Sequence, residues 1–149
     1  MMMIRMVEVL VDTSFIIAMA NIPIKGMDRL EVELGRVEFL IPDVVVKELE
    51  RIAIDAGVKR AREARAALQL IYDARFRSKA RMIDISKVSD TEGKSAKEGK
   101  VGSKVDDLIV GYAESAGCYV ATLDREMIRR LRGRCAGIIT LQDDTLTIA

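Results

Sequence analysis

The chain has 149 residues, 50% of them apolar and 32% charged, which reads as one domain spanning 1–149 that buries about two-thirds of its unfolded surface. Its net charge of +1 sets up no global field toward nucleic acid or membrane, so any attraction for phosphate must come from local clusters. There is no histidine, which removes Ser-His-Asp and Cys-His nucleophiles, imidazole proton shuttles and nearly all catalytic zinc sites. Cys118 and Cys135 form neither a disulfide framework nor a zinc spacing, and read as small apolar residues at the edges of late strands. Arg5, Glu8 and Asp12 interrupt any signal-peptide core, and the longest apolar run, 15–20, is too short to span a bilayer. A reducing cytoplasm, with no membrane, is the expected location.

In chain order, 7–11 is a buried strand and 13–20 a short helix, followed by a turn around Pro23. A helix over 27–34 is stopped by Gly35, and 37–41 is a second strand. Pro42 suits the first turn of a helix that runs to about Ala56 and closes at Gly57. The Ala-rich, highly charged stretch 58–78 reads as one helix, and 82–85 as a third strand. Residues 86–102 are rich in Gly, Ser and charge, with Lys87, Lys94, Lys97 and Lys100. They read as a long loop, either functional or a solvated connection. A helix over 103–116 stops at Gly117, 119–122 is a strand, 124–132 a helix and 138–141 the last strand. Strands alternating with helices imply an α/β three-layer sandwich around a mostly parallel central sheet.

Four acids stand out by position. Asp12 and Asp124 each follow a strand, where open parallel sheets collect their ligands. Asp12 and the hydroxyls of Thr13 and Ser14 are equally natural caps for the helix that begins there. In the Pro42 helix the apolar stripe is Val45, Leu49, Ile52 and Ala56, and Glu48 lies about 100° from Leu49, at its border. In the helix that follows Ser103 the stripe is Val105, Ile109, Tyr112, Ala113 and Ala116. Asp106 shares that side, whereas Asp107 is turned roughly 160° from Ile109. A capping box from Ser103 to Asp106 is the rival account of Asp106.

Four acids converging on a water-poor pocket repel each other, a penalty that a bound divalent cation removes. An all-oxygen set suits Mg²⁺ or Mn²⁺, metals that activate water against a phosphodiester and stabilise the leaving oxygen. Gly93-Lys94-Ser95 lacks the first glycine of a phosphate-binding loop, since Val88 stands in its place, and no buried strand directly precedes it. A receiver-type phosphorylation domain would want paired acids at the first strand end and a lysine after the last, and neither is evident. Arg125, Arg129, Arg130, Arg132 and Arg134 crowd the region after Asp124, reading either as a solvated face or as phosphate contacts beside the site. No aromatic stacking platform accompanies them.

Leu10-Val11-Asp12-Thr13-Ser14-Phe15, Pro42 through Glu48-Leu49, Val105-Asp106-Asp107-Leu108-Ile109 and Ala121-Thr122-Leu123-Asp124-Arg125 resemble, in order, the four acidic blocks of PIN-domain ribonucleases. The resemblance covers essentially the whole chain. It implies a parallel sheet of order 3-2-1-4-5 with helices on both faces, and a Mg²⁺- or Mn²⁺-dependent endoribonuclease leaving 5′-phosphate and 3′-hydroxyl ends. It further implies Asp12, Glu48, Asp106 and Asp124 as metal-binding acids, with Ser14 bonding a carboxylate or metal water. Arg125, Arg129 and Arg130 would then meet RNA. Leu123 departs from the Asn common before the last acid in ribosomal-RNA-processing members. The acidic last block and its arginines look closest to archaeal members related to the small-subunit processome nuclease, which overlap with VapC-type toxins. The resemblance thus implies a homodimer, with an antitoxin or a pre-ribosomal particle as partner. The competing expectation is a catalytically weak RNA-binding or ribosome-assembly factor on the same fold.

Overall fold

The computed structural model describes residues 6–86 and 103–149, with Ser103 described in its backbone alone. The expected lysine-rich loop, beyond Ser86, lies outside the described residues, as do Gly93-Lys94-Ser95 and the side chain of the proposed Ser103 cap. The first half of the chain runs β1 (Met6–Val11), α1 (Thr13–Asn21), α2 (Met27–Leu34), β2 (Arg36–Pro42), α3 (Asp43–Asp55), α4 (Val58–Ile71), α5 (Ala74–Arg77) and β3 (Ala80–Ile83). The second half runs α6 (Ser103–Ala116), β4 (Tyr119–Ala121), α7 (Arg125–Leu131), β5 (Gly137–Gln142) and β6 (Thr145–Ile148).

The strands form one sheet in the order β3-β2-β1-β4-β5-β6, parallel except for the antiparallel pairing of β6 with β5. The mostly parallel α/β sheet is as expected, with one strand more. Successive side chains on a strand face opposite sides, so burial of neighbours means cover on both faces. Val9, Leu10 and Val11 on β1 and Phe39, Leu40 and Ile41 on β2 are all fully buried. α1, α3 and α4 pack with one another and α6 with α7. Among the described residues no helix is long and apolar enough to cross a membrane.

Three departures from the sequence reading have local causes. The stretch read as one helix over 58–78 breaks into α4 and α5, because Asp73 Oδ1 accepts from the backbone N–H of Arg75 and Phe76 and starts a new helix. Phe76 then stacks on Phe39 with ring centres 6.0 Å apart. The third strand lies two residues earlier than expected. Phe39 N–H donates to Lys79 O at 2.8 Å, which sets the register, and Arg81 faces outward to pair with Glu8 and Glu38 at 3.1 and 3.2 Å. β6 was not expected at all. Asp143 and Asp144, with φ of 53° and 64°, turn the chain through two residues into a hairpin.

Pro42 ends β2 and caps α3 rather than entering its first turn, and Gly57 caps α4. Both cysteines are free, Cys118 buried just before β4 and Cys135 half-buried just before β5.

Candidate active site

The sheet ladder continues one residue beyond its strands at the carboxyl edge. Asp12 N–H donates to Ala121 O at 3.1 Å and Thr122 N–H to Ile139 O at 3.0 Å. This places Asp12 beside Thr122, both buried, at 4% and 0% exposure. Asp12 Oδ1 accepts from the Ser14 hydroxyl at 2.8 Å and from Phe15 N–H at 3.0 Å, so the residue does cap α1. Its Oδ2 accepts a short hydrogen bond from the Thr122 hydroxyl. The same two hydroxyls also accept backbone N–H groups, Ser14 from Leu123 and Thr122 from Asp124, each at 3.1 Å. The ends of β1 and β4 are thereby stitched together through Asp12.

Glu48, on the second turn of α3, is half-buried and accepts from the Thr13 hydroxyl at 2.5 Å, with Arg51 3.9 Å away. Asp124 is exposed and caps α7, accepting from Glu126 N–H at 2.9 Å and Met127 N–H at 3.4 Å. Asp106 is half-buried on α6, whereas its neighbour Asp107 faces solvent and pairs with Arg130 at 2.7 Å. Arg129 is tied to Glu126 at 2.7 Å, and Arg125 is exposed.

Electrostatics link these groups. Burial lifts the Asp12 carboxyl to about 6, against the pull of the Thr122, Phe15 and Ser14 hydrogen bonds, and the charge of Asp106 adds to the rise. Burial also lifts Asp106 to about 6. Asp124, Glu48 and Asp107 push it further, and Arg130 opposes them. Asp106 therefore feels Asp124 and Glu48, and Asp12 in turn feels Asp106. Yet among the described residues no three carboxylates stand close enough to make a ready-made metal cage. Like charges favour separation, and three of the four acids turn to a local donor instead: Asp12 to Ser14 and Thr122, Glu48 to Thr13, Asp124 to the start of α7. The donor set, oxygen throughout, fits a hard divalent cation.

Thr122 and Thr13 are the functional candidates that the sequence reading passed over. A hydroxyl at a strand end two residues before Asp124 was a usable signal for Thr122. Nothing local marks Thr13 as a partner of Glu48, 35 positions away.

The PIN domain family model matches residues 9–133. The chain belongs to the PIN domain family. The structure of the PIN domain endonuclease Utp24 is similar to this PIN domain, with a TM-score of 0.62 at 22% identity, over 95% of this chain and 90% of that one. A domain of a functionally unknown protein from Methanocaldococcus jannaschii DSM 2661 is similar at a TM-score of 0.54 and 23% identity, over 91% of each chain. At these identities the likeness is one of fold. No curated protein matches this PIN domain.

Proposed function

We propose that this PIN domain is a metal-dependent endoribonuclease in which Asp12, Glu48, Asp106 and Asp124 hold Mg²⁺ or Mn²⁺. The observation that carries the reading is the pair Asp12 and Asp106, both lifted to about 6 by burial and by neighbouring carboxylates at the carboxyl edge of the sheet. Such a concentration of unneutralised acid is costly to folding and is useful where a cation binds. Family membership supports it, since PIN domains are generally nucleases, and the similar Utp24 structure is that of an endonuclease.

When bound, the divalent ion supplies charge neutralisation and an activated water for attack on the phosphodiester. The protein's own groups orient the site. Ser14 and Thr122 fix the rotation of the Asp12 carboxylate, and Thr13 fixes that of Glu48. Arg125, Arg129 and Arg130 on α7 offer cations to the RNA phosphates, with Arg129 and Arg130 exchanging Glu126 and Asp107 for phosphate oxygens. A homodimer in the cytoplasm, and a role in ribosomal RNA processing or as a VapC-type toxin with an antitoxin, are the settings consistent with this chemistry.

Purified protein is expected to cut single-stranded RNA with Mn²⁺ and not in chelator, and Asp12→Asn or Asp106→Asn to slow cleavage about 100-fold or more. Cleavage by these variants at the wild-type rate would sink the assignment. A catalytically weak RNA-binding or ribosome-assembly factor is the second reading, favoured by the existing engagement of both Asp12 oxygens. It requires RNA binding that persists in chelator, with no metal-dependent cutting.

A further inference from the structure

The protein has three tyrosines, three phenylalanines and no tryptophan. All three phenylalanines are buried, and Tyr112 and Tyr119 are half-buried. Tyr72 alone of these aromatics is exposed, at 53%, and it stands at the end of α4 on the side of a wide-open cavity of about 400 Å³. Among the described residues the ring contact is between Phe39 and Phe76, so the face of Tyr72 has no aromatic neighbour.

The cavity lies between the start of α3 and the end of β3. Val46, Met82 and Ile83 give it apolar walls, Met82 being 42% exposed, while Asp43, Glu50 and Asp84 bring carboxylates to it, Asp43 already accepting from Ile85 N–H at 2.9 Å, and Lys47 brings a single ammonium. An aromatic face, apolar walls and carboxylate acceptors suit a flat, uncharged ring that carries N–H donors. They repel phosphate. This is the chemistry of a nucleobase, and the volume falls in the range of small-ligand sites.

The position is equally specific. Asp43 follows directly on β2, so the cavity opens at the same carboxyl edge of the sheet as Asp12. On α3, Val46, Lys47 and Glu50 lie roughly 100–160° around the helix from Glu48. The carboxylate site and the cavity therefore flank one helix, about 10 Å across, a width that a few nucleotides of extended single strand bridge.

We propose that this cavity is a nucleobase subsite, in which Tyr72 stacks an unpaired base of the RNA a few nucleotides from the point of cleavage. The proposal rests on the nuclease reading for the presence of a strand beside Glu48. It also supplies the aromatic platform that the arginine cluster of α7 lacks.

The test measures binding of a labelled single-stranded oligoadenylate in chelator, where nothing is cut, by fluorescence anisotropy. Tyr72→Ala is expected to weaken binding about tenfold, within the range for loss of one base–aromatic stack, and Tyr72→Phe to leave it near wild type. Removing bases from the oligonucleotide should weaken binding to wild type and leave binding to Tyr72→Ala nearly unchanged. Equal affinity of wild type and Tyr72→Ala for the intact strand overturns the subsite and leaves the cavity to a protein side chain. So does indifference of wild type to abasic positions, a measurement that stands even if Tyr72→Ala fails to fold. Absence of RNA binding by wild type overturns it as well. Mn²⁺-dependent cleavage with Tyr72-independent binding fails the subsite alone, whereas Tyr72-dependent binding without cleavage fails the nuclease reading alone.

Discussion

Asp12 carries an energetic cost that its hydrogen bonds only partly offset. Its carboxyl is held at about 6, against roughly 3.9 in an unfolded chain. Between those values the folded protein keeps a proton that the unfolded chain has lost, so this group makes stability fall as pH rises from about 4 to about 6. The cost is fully present above that window and absent below it. At about 1.4 kcal/mol per tenfold it amounts to roughly 3 kcal/mol for this buried side chain. Asp12→Asn is therefore expected to raise the melting temperature of chelator-treated protein at pH 8 by about 6 °C or more, while slowing cleavage about 100-fold or more. The gain should vanish near pH 4, and calorimetry at the two pH values reads both. A variant less stable than wild type at pH 8 would contradict the argument. Asp12 and Asp124 were legible in the sequence because each ends an apolar run, and Glu48 and Asp106 because helical angles set them against apolar stripes. Thr122 was marked only by its place at a strand end two residues before Asp124, and its pairing with Asp12, 110 positions away, is encoded by no local pattern.

At the level of elements, periodicity located the helices and the buried strands, and failed where capping or turn chemistry decides. Tyr72 caps the end of one helix and Asp73 begins another inside what reads as a continuous Ala- and Arg-rich run. Its cap is expected to be worth about 1 kcal/mol, so Asp73→Ala should lower the melting temperature by about 3 °C with little change in cleavage. A neutral result would mean that stacking of Phe76 on Phe39 holds α5 unaided. The hairpin of β6 was hidden because Asp143-Asp144 is a poorer turn signal than Asn-Gly, although both residues adopt the left-handed backbone that such a turn needs. The third strand was misplaced because Arg81, an ill-suited residue for a buried strand, is held at the sheet edge by two carboxylates, Glu38 on the adjacent β2 and Glu8 on β1 beyond it.

Across the whole molecule, a net charge of +1 conceals some local segregation of charge among the described residues. Acids gather at the carboxyl edge of the sheet, arginines on α7 beside them, and the one exposed aromatic ring on the far side of α3. None of this segregation shows in composition, because it arises from which strands the topology makes neighbours. The same topology gives the two cysteines a use unrelated to the carboxylate site. They precede adjacent strands at the middle of the sheet, and burial pushes the Cys118 thiol up to about 11 and raises that of Cys135. Thiolate is the reactive form, so Cys118 is protected both by exclusion and by protonation. Alkylation followed by mass spectrometry is expected to modify Cys135 first in native protein and Cys118 only at the rate of global opening, the two rates converging as denaturant is added. A Cys118 that reacts as fast as Cys135 in native buffer would place the β4–β5 region among the parts that open locally. Otherwise the chain carries a clock beside β4 and β5, one that times unfolding without any engineered probe.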